Sequence, residues 1–253
     1  MAQNNTTRFS NRVADYVAYR PGYPESIVDF LENDYGLEEG DLVADIGSGT
    51  GISSALFLKR GYRVTGIEPN KEMREKSVAL LGGDPGFNAV DSTAENTQLP
   101  GRSVDAIIAG QAFHWFDRDK AQQEFSRILK PGGVVALIWN ERLTAGEFEE
   151  EYDELIVRHA IDYVKVDHRN IDLEKIKVFF DPAAVELKIF SNHQDFDFNG
   201  LEGRLLSSSY MPAKNEPGYE AMSTDLRALF DRYQENGVIR INYDTKVFAG
   251  TYA

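Results

Sequence analysis

The chain of 253 residues contains no cysteine. This absence excludes disulfide bonds, zinc sites built on thiolates and cysteine nucleophiles, and it fits a reducing compartment. Apolar runs long enough to span a bilayer are also missing, and residues 1–10 lack the apolar core of a signal peptide. We therefore expect a cytoplasmic protein that does not enter a membrane.

Basic residues are scarce relative to acidic ones. The chain has 27 Lys and Arg against 41 Asp and Glu, which gives a formal net charge of −14. Because so acidic a surface repels phosphate backbones, we do not expect duplex DNA or bulk RNA as a partner. A local basic pocket for a small anion is still compatible with this net charge. Hydrophobic residues make up 42% of the chain and aromatic residues 11%, which is enough for a packed core.

Short apolar runs alternate with amphipathic stretches through the first half of the chain. The predicted strands are Leu42–Ile46, Arg63–Ile67, Phe87–Val90, Val104–Ala109 and Val134–Trp139. The predicted helices between them cover residues 52–61, 70–81 and 119–129. Strand, helix, strand at this rhythm is typical of βαβ units, so we predict an α/β protein whose parallel sheet carries helices on both faces.

The pattern loosens after Asn140. Residues 141–182, 201–209 and 220–234 have helical character, and residues 185–190 and 246–252 are further strand candidates. We therefore predict three parts: an N-terminal helical lid segment over 1–40, an α/β core over 41–140, and late core strands with an inserted helical cap over 141–253.

The stretch V-A-D-I-G-S-G-T-G, residues 43–51, places three glycines at alternate positions after the first predicted strand. Glycine permits a tight turn from strand to helix and a close approach of a ligand to the backbone. The spacing is neither the G-x-G-x-x-G of dinucleotide-binding proteins nor a phosphate-binding P-loop that ends in Lys-Ser/Thr. A plain tight turn without a ligand is the alternative.

Glu68 ends the second predicted strand, 23 residues after Asp45. An acid at this place can accept hydrogen bonds from both hydroxyls of a ribose. The alternative is an exposed acid at a strand end. Because the carboxyl ends of neighbouring parallel strands meet at one edge of the sheet, the glycine loop and Glu68 together favour a nucleoside-containing ligand.

Several further motifs accompany these two features. They are F-S-N-R-V-A-D-Y-V-A-Y-R-P-G-Y-P (9–24), G-I-E-P-N (66–70), S-T-A-E-N-T-Q-L-P (92–100), A-G-Q-A-F-H-W-F-D (109–117) and I-L-K-P-G-G (128–133). With V-A-D-I-G-S-G-T-G, they make the sequence resemble the class I S-adenosylmethionine (SAM)-dependent methyltransferases of the type 11-like group, near the trans-aconitate methyltransferase branch. The resemblance covers most of the chain. It implies a Rossmann-like fold with a seven-stranded, mostly parallel sheet, helices on both faces and a helical cap.

The resemblance also implies a set of SAM-binding residues. The loop would hold the methionine part of SAM, Glu68 the ribose, and the segment after the third strand the adenine edge. Many relatives carry Asp where this chain has Thr93, which places adenine recognition here more on backbone groups. The implied residues are Asp45, Gly47, Ser48, Gly49, Thr50, Gly51, Glu68, Pro69 with Asn70, Thr93, Ala94, Glu95, and Gln111 with Ala112.

The N-terminal segment has apolar residues at helical spacing, among them Phe9, Val13 and Val17, which fit an ordinary core-facing helix. For the neighbouring Tyr16, Tyr19 and Arg20 the resemblance implies a lid over the cofactor. The guanidinium of Arg20 could pair with the carboxylate of SAM or of a substrate, and Tyr19 could contact the substrate. The alternative for all three is packing within the helix.

His114, Trp115 and Phe116 follow the fourth predicted strand, where many class I methyltransferases place residues near the acceptor. His114 is the candidate general base if the acceptor is a hydroxyl or an amine, whereas a carboxylate is already nucleophilic and needs no base. A hydrogen-bonded loop histidine is the alternative. Trp115 is a candidate substrate contact, although it and Phe116 equally fit packing.

Two motifs in the predicted cap, D-Y-V-K-V-D-H-R-N (162–170) and G-R-L-L-S-S-S-Y (203–210), also resemble this branch. They supply further candidate substrate contacts, each of which could equally be part of the cap structure. These candidates are Tyr163, His168, Arg204, Ser209 and Tyr210.

Methyl transfer from SAM to a small molecule, with a carboxylate as one possible acceptor, is the function that these motifs favour. We expect no metal, and a monomer or a weak homodimer. The alternative from another class is an NAD(P)-dependent oxidoreductase. The glycine spacing opposes it, and Pro212 interrupts the helix that a Tyr210-x-x-x-Lys214 catalytic pair would need.

Two other functions stay open within the same fold. A SAM-binding protein without activity is disfavoured because the glycine loop is intact. A nucleic-acid methyltransferase is disfavoured by the charge of −14 and by the sequence Gln111-Ala112-Phe113-His114 where an N/D-P-P-Y/F signature would stand.

Overall fold

The computed structural model describes residues 19–161, 173–181, 183–208 and 210–251. The predicted site residues Tyr16, Tyr163, His168 and Ser209 lie outside these ranges.

The centre of the fold is a seven-stranded sheet in the order β3-β2-β1-β4-β5-β7-β6. The strands are β1 (Leu42–Ile46), β2 (Arg63–Ile67), β3 (Phe87–Val90), β4 (Val104–Gly110), β5 (Leu129–Arg142), β6 (Glu186–Phe196) and β7 (Ile239–Thr251). Strands β1 to β5 pair in parallel, and β7 runs antiparallel to both β5 and β6. The mostly parallel, Rossmann-like sheet predicted from the sequence is confirmed.

Helices accompany the sheet and form the cap. They are α1 (Ser26–Tyr35), α2 (Ile52–Leu58), α3 (Lys71–Leu81), α4 (Arg118–Ile128), α5 (Glu147–His159), α6 (Leu173–Phe180), α7 (Phe198–Leu206) and α8 (Tyr219–Tyr233). None of these described helices is both long enough and apolar enough to cross a membrane.

Three apolar cores organise these elements. One face of the sheet packs against α4 and α6, around Phe125 and Phe180, and the other packs against α1 and α2, around Leu31 and Phe57. Burial on both faces explains why the strands at the centre are continuous apolar runs. A separate core around Met222 joins α5, α7 and α8 to the ends of β6 and β7 and forms the cap.

The last three strands are longer than the sequence predicts. Strand β5 begins at Leu129 and ends at Arg142, whereas the apolar run covers only Val134–Trp139, and β7 begins at Ile239, seven residues before the predicted Lys246. Buried and less buried residues alternate in the first half of β7, because that half faces the cap on one side only. A search for continuous apolar runs misses such half-buried extensions.

The strand order reverses between β1 and β4, which are neighbours in the sheet although they are not consecutive in the chain. In open α/β sheets, ligands bind outside the carboxyl ends of the strands at this switch point. The ends of β1, β2, β4 and β5 therefore define where a site has to be sought.

Candidate functional site

The glycine loop after β1 is wound tightly against its neighbours. Gly47, Gly49 and Gly51 all have left-handed φ angles, of 69°, 56° and 88°. The Gly47 N–H donates to the Ile67 carbonyl of β2 at 2.8 Å. A Cβ at Gly47 would stand 2.6 Å from the Cβ of Ala112, in the loop after β4. Glycine is therefore required here both for the backbone angle and for the close approach of two loops.

Glu68 joins the end of β2 to this loop. One oxygen of its carboxylate accepts the N–H of Gly49 and the other accepts the N–H of Asn70, both at 2.8 Å. Burial raises the pKa of this carboxyl, and the two backbone N–H groups act in the opposite direction. Glu68 is only 8% exposed, so it is not the exposed strand-end acid considered as the alternative. Each carboxylate oxygen keeps a lone pair for a further donor.

Asp45 is fully buried at the centre of the sheet, one strand away from Glu68. Its Oδ2 accepts hydrogen bonds from the hydroxyls of Ser53 and Ser54 at 2.6 Å each, from the first turn of α2. Burial raises the pKa of this carboxyl to about 6 although both serines lower it. Asp45 can therefore gain or lose a proton close to neutral pH.

Unsatisfied buried polar atoms collect along the same loop. Asp45 Oδ1, Ser48 Oγ and Thr50 Oγ1 have no hydrogen-bond partner in the part of the chain that the structure describes. Buried polar atoms almost always have one, so three exceptions within six consecutive residues are the mark of a ligand site. The hydroxyl of Ser48 lies over Gly66, where a Cβ would stand 2.8 Å from it. The residues present fit a polar ligand that carries hydrogen-bond donors.

The segment after β3 carries the residues that the resemblance assigns to the adenine edge. Ala94 is buried and Thr93 is exposed. The carboxylate of Glu95 accepts the N–H of Asp117 at 2.9 Å and so ties this segment to the start of α4. Pro69 is half-buried, and Asn70 caps α3 by accepting the Met73 N–H at 2.9 Å. Contact of these residues with adenosine stays a prediction.

Gln111 directly follows β4 and has a strained conformation. Its φ of 56° is left-handed, which a residue other than glycine rarely adopts. Its N–H donates to the Ile138 carbonyl at 2.8 Å, and its side-chain amide donates to the Asn140 carbonyl at 3.0 Å. Strain of this kind concentrates at functional sites because the surrounding contacts have to maintain it.

Asn140, at the carboxyl end of the core of β5, organises the rim of the site, and sequence analysis gave it no role. Its amide donates to the Gly22 carbonyl at 3.0 Å, and its oxygen accepts from Asn192 at 3.1 Å and from Thr245 at 2.5 Å. Asn192 also donates to the Gly22 carbonyl, at 2.9 Å. A polar residue directly after the buried run of β5 is the signal that could have identified Asn140.

The predicted lid residues lie against the cap. The ring of Tyr19 occupies the space where a side chain at Gly203 of α7 would stand. Arg20 reaches the Ser207 carbonyl at 3.5 Å, at the end of the same helix. Tyr23, which has no assigned role in the sequence analysis, lies over Gly110 at the end of β4, where a Cβ would meet its hydroxyl at 2.6 Å. Residues 19–23 thus connect the cap to the carboxyl edge of the sheet.

His114 and Trp115 lie in a 3-10 turn, Phe113–Trp115, just past the end of β4. Both are exposed, and their ring centroids lie 4.6 Å apart. The buried aromatic residue of this turn is Phe113, which packs edge-on against Trp139 and Phe179. The roles of His114 as a base and of Trp115 as a substrate contact stay predictions.

Arg204 and Tyr210 lie in the cap. The Nε of Arg204 donates to the hydroxyl of Tyr243 at 3.3 Å, and that hydroxyl donates to Gln194 at 2.9 Å. The Tyr210 carbonyl accepts the N–H of Ile161 at 2.8 Å. The structure therefore gathers the loop residues and Glu68 at the sheet edge and places Arg204 on the cap side.

The known proteins that this chain resembles are described as methyltransferases. Residues 44–137 match the family model described as a methyltransferase domain. An uncharacterized methyltransferase of Mycobacterium bovis is 35% identical over 150 residues, 59% of each chain. A methyltransferase-like protein of Schizosaccharomyces pombe is 29% identical over 155 residues, 61% of this chain and 59% of its own. This chain thus spans about 59% of the length of these relatives.

Solved structures share the fold. A candidate type II methyltransferase of Anaeromyxobacter dehalogenans superposes with a TM-score of 0.71 at 23% identity, over 92% of this chain and 98% of its own. A phosphoethanolamine N-methyltransferase of Haemonchus contortus, in complex with phosphomonomethylethanolamine and S-adenosylhomocysteine, gives a TM-score of 0.57 at 17% identity, over 98% of this chain and 58% of its own.

Proposed function

We propose that this chain is a class I SAM-dependent methyltransferase and that it transfers a methyl group from SAM to a small-molecule acceptor. The observation that carries the proposal is the arrangement at the switch point of the sheet. There the three left-handed glycines, the buried Glu68 and the unsatisfied polar atoms of the loop lie together.

The residues in place fit the two ends of SAM. Glu68 has a lone pair on each oxygen for ribose hydroxyls, because each oxygen accepts one backbone N–H. Asp45 and the loop Gly47–Gly51 suit the cationic ammonium of the methionine part, since a buried carboxylate is stabilised by an opposite charge. Gln111 closes this end of the site through its bond to Asn140. When bound, SAM supplies a methyl group activated by its sulfonium.

The protein contributes orientation and exclusion of water. Residues 19–23 bridge the sheet edge and the cap, and the strand ends below them are buried. Methyl transfer is a direct displacement, so holding the acceptor in line with the methyl group in a closed site is the largest available contribution. His114 would act as a base only for a hydroxyl or amine acceptor.

Several facts support a small acceptor, with a carboxylate as the first class to test. The net charge of −14 disfavours nucleic acid, and Arg20 and Arg204 bring positive charge to the cap side of the site. The matched family and relatives are described as methyltransferases, which does not favour the oxidoreductase alternative. The three-part organisation, a monomer or weak homodimer and a cytoplasmic location stay predictions.

Calorimetric titration with S-adenosylhomocysteine tests the cofactor. We expect binding to the unmodified protein and a roughly 10–100-fold loss in Glu68→Gln, because charge-assisted hydrogen bonds to the ribose are lost. The control is Glu72→Gln, an exposed acid in the first turn of α3. Binding of NAD but not of SAM or its product at millimolar concentration would overturn the proposal.

Methyl transfer itself is tested with an isotopically labelled methyl donor. The acceptor screen begins with small polycarboxylates and includes phenols and amines. Labelled methyl esters are the expected product of a carboxylate acceptor. Labelling confined to amines or phenols would reject a carboxylate acceptor. It would also make His114 the candidate base, and the variant His114→Ala would test that role.

A further inference from the structure

The guanidinium of Arg204 in the cap has no carboxylate partner among the residues that the structure describes. Within the described residues, the Arg204 guanidinium donates one hydrogen bond, from Nε to the Tyr243 hydroxyl at 3.3 Å, and no carboxylate lies within ion-pair distance of it. The neighbouring Arg142, in contrast, pairs with Asp153 at 2.5 Å. An enclosed guanidinium without a counterion costs free energy, and a bound anion removes that cost.

A tyrosine hydroxyl without a hydrogen bond to the described residues belongs to the same group of side chains, because Arg142 lies over the ring of Tyr152 and its strand partner Tyr243 bonds Arg204. Tyr152 is only 2% exposed, and its ring stacks on Phe148 while the guanidinium of Arg142 lies 5.2 Å from the ring centroid. Its hydroxyl makes no hydrogen bond to any residue that the structure describes. Buried tyrosine hydroxyls usually have a partner, so this one is available as a donor.

The electrostatics connect the two groups. Burial raises the pKa of Tyr152 to about 12, and the charges of Arg204 and Arg142 act in the opposite direction. The Tyr152 hydroxyl therefore keeps its proton at neutral pH and lies within the field of both arginines. Because Asp153 neutralises Arg142, the charge that no described carboxylate compensates is that of Arg204.

This cluster continues the edge of the sheet that carries the cofactor site. Tyr243, the partner of Arg204, is paired with Arg142 across β5 and β7. Arg142 lies two residues beyond Asn140, or about 7 Å along the strand. Asn140 in turn holds Gln111, next to the glycine loop.

We propose that Arg204 and the Tyr152 hydroxyl form an anion subsite that holds a carboxylate or phosphate of the acceptor, separate from the atom that is methylated. This inference rests on the proposed function and deepens it. Since the chain as a whole is acidic, the subsite selects anionic acceptors by local charge. The planar guanidinium would orient such a group through parallel hydrogen bonds.

The test measures binding of small probes to protein saturated with S-adenosylhomocysteine. The anions are propane-1,2,3-tricarboxylate and glycerol 3-phosphate, and their neutral counterparts are propane-1,2,3-tricarboxamide and glycerol. We expect an anion to bind and its neutral counterpart not to bind. Arg204→Gln should weaken anion binding roughly 10–100-fold, and Tyr152→Phe should weaken it roughly 5–10-fold. Arg204→Lys keeps the positive charge and should lose less affinity than Arg204→Gln.

Matched controls separate this role from a structural one. Arg240→Gln removes one exposed positive charge from the same strand as Tyr243, and Tyr233→Phe removes one phenol hydroxyl of the cap that bonds Glu151. Both should bind the anions as the unmodified protein does. Calorimetry with S-adenosylhomocysteine and the melting temperature of each variant show whether it is folded.

The outcomes divide clearly. Tighter binding of glycerol 3-phosphate than of the tricarboxylate supports the subsite and assigns a phosphorylated acceptor. Equal binding of charged and neutral probes, no binding of either anion, or unchanged affinity in folded Arg204→Gln overturns it. Failure to bind S-adenosylhomocysteine at all instead overturns the proposed function, so the two failures are distinguishable.

Discussion

Gly47 and Gly49 both hold left-handed φ angles, but a side chain would meet different surroundings at the two positions. At Gly47 a Cβ would stand 2.6 Å from the Cβ of Ala112, whereas no atom of the described residues lies within 4 Å of a Cβ at Gly49. The sequence marks both residues equally. Only the three-dimensional structure distinguishes Gly47, which the close approach of two loops requires, from Gly49, which faces open space.

Alanine at Gly47 and alanine at Gly49 should therefore affect stability and ligand binding differently. Gly47→Ala should lower the free energy of unfolding by about 2–4 kcal/mol, through strain and the clash with Ala112. Gly49→Ala should cost only about 1 kcal/mol, because the strain is backbone strain alone, yet it should weaken S-adenosylhomocysteine binding by placing a methyl group on the open side of the loop. Urea unfolding and calorimetry measure the two effects. Equal stability of the two variants would contradict the loop geometry.

Burial of the ionised Asp45 carboxylate lowers the free energy of unfolding at neutral pH. Its pKa of about 6 in the folded protein exceeds the ordinary 3.8, so the folded state holds the proton more tightly than the unfolded chain. The contribution of this carboxyl to stability is therefore favourable below pH 3.8 and is lost as the pH rises through about 6.

Asp45→Asn should accordingly gain stability over the unmodified protein as the pH rises. The difference in the free energy of unfolding should grow by up to about 3 kcal/mol between pH about 4 and about 7. The same variant should bind S-adenosylhomocysteine more weakly, because the negative charge beside the ammonium is gone. Urea unfolding across pH tests the first effect and calorimetry the second. A stability difference that does not change with pH would refute the buried, ionising Asp45.

At the scale of elements, β5 and β7 show which parts of a strand the apolar pattern of the sequence predicts. Their apolar centres are buried on both faces and were predicted, while their extensions are half-buried and polar. The extensions carry Asn140, Arg142 and Tyr243, which connect the core to the cap. Residues of this kind are set by pairing between distant strands, which leaves no local periodic signal.

Asn140→Ala should release residues 19–23 from the sheet edge while leaving the core folded. It removes the bond to the Gly22 carbonyl and leaves Asn192 and Thr245 without their shared acceptor, for a cost of about 1–3 kcal/mol. Hydrogen exchange at residues 20–28 should become faster. Thr245→Val is the control, since it removes a single bond of this network. Unchanged exchange in Asn140→Ala would show that other contacts hold the segment.

At the scale of the whole molecule, the net charge is negative, whereas the side of the candidate site that faces the cap carries positive charges. The chain carries a net charge of −14, yet the side of the site that faces the cap contains Arg20, Arg142 and Arg204. Net charge governs long-range encounter, whereas a local guanidinium governs what is held. The composition thus argues against nucleic acid, and only the arrangement of the cap points to a small anion.

The sequence by itself determined the α/β sheet, the glycine loop and the acid at the end of β2, because apolar periodicity and the special angles of glycine act within a few residues. Tertiary structure alone decided that Glu68 bonds Gly49, that Asn140 joins four segments, and that Arg204 bonds Tyr243. These contacts join residues up to 118 positions apart, as between Asn140 and Gly22. Packing of the cap and pairing of the late strands bring such residues together, and no local pattern encodes that geometry.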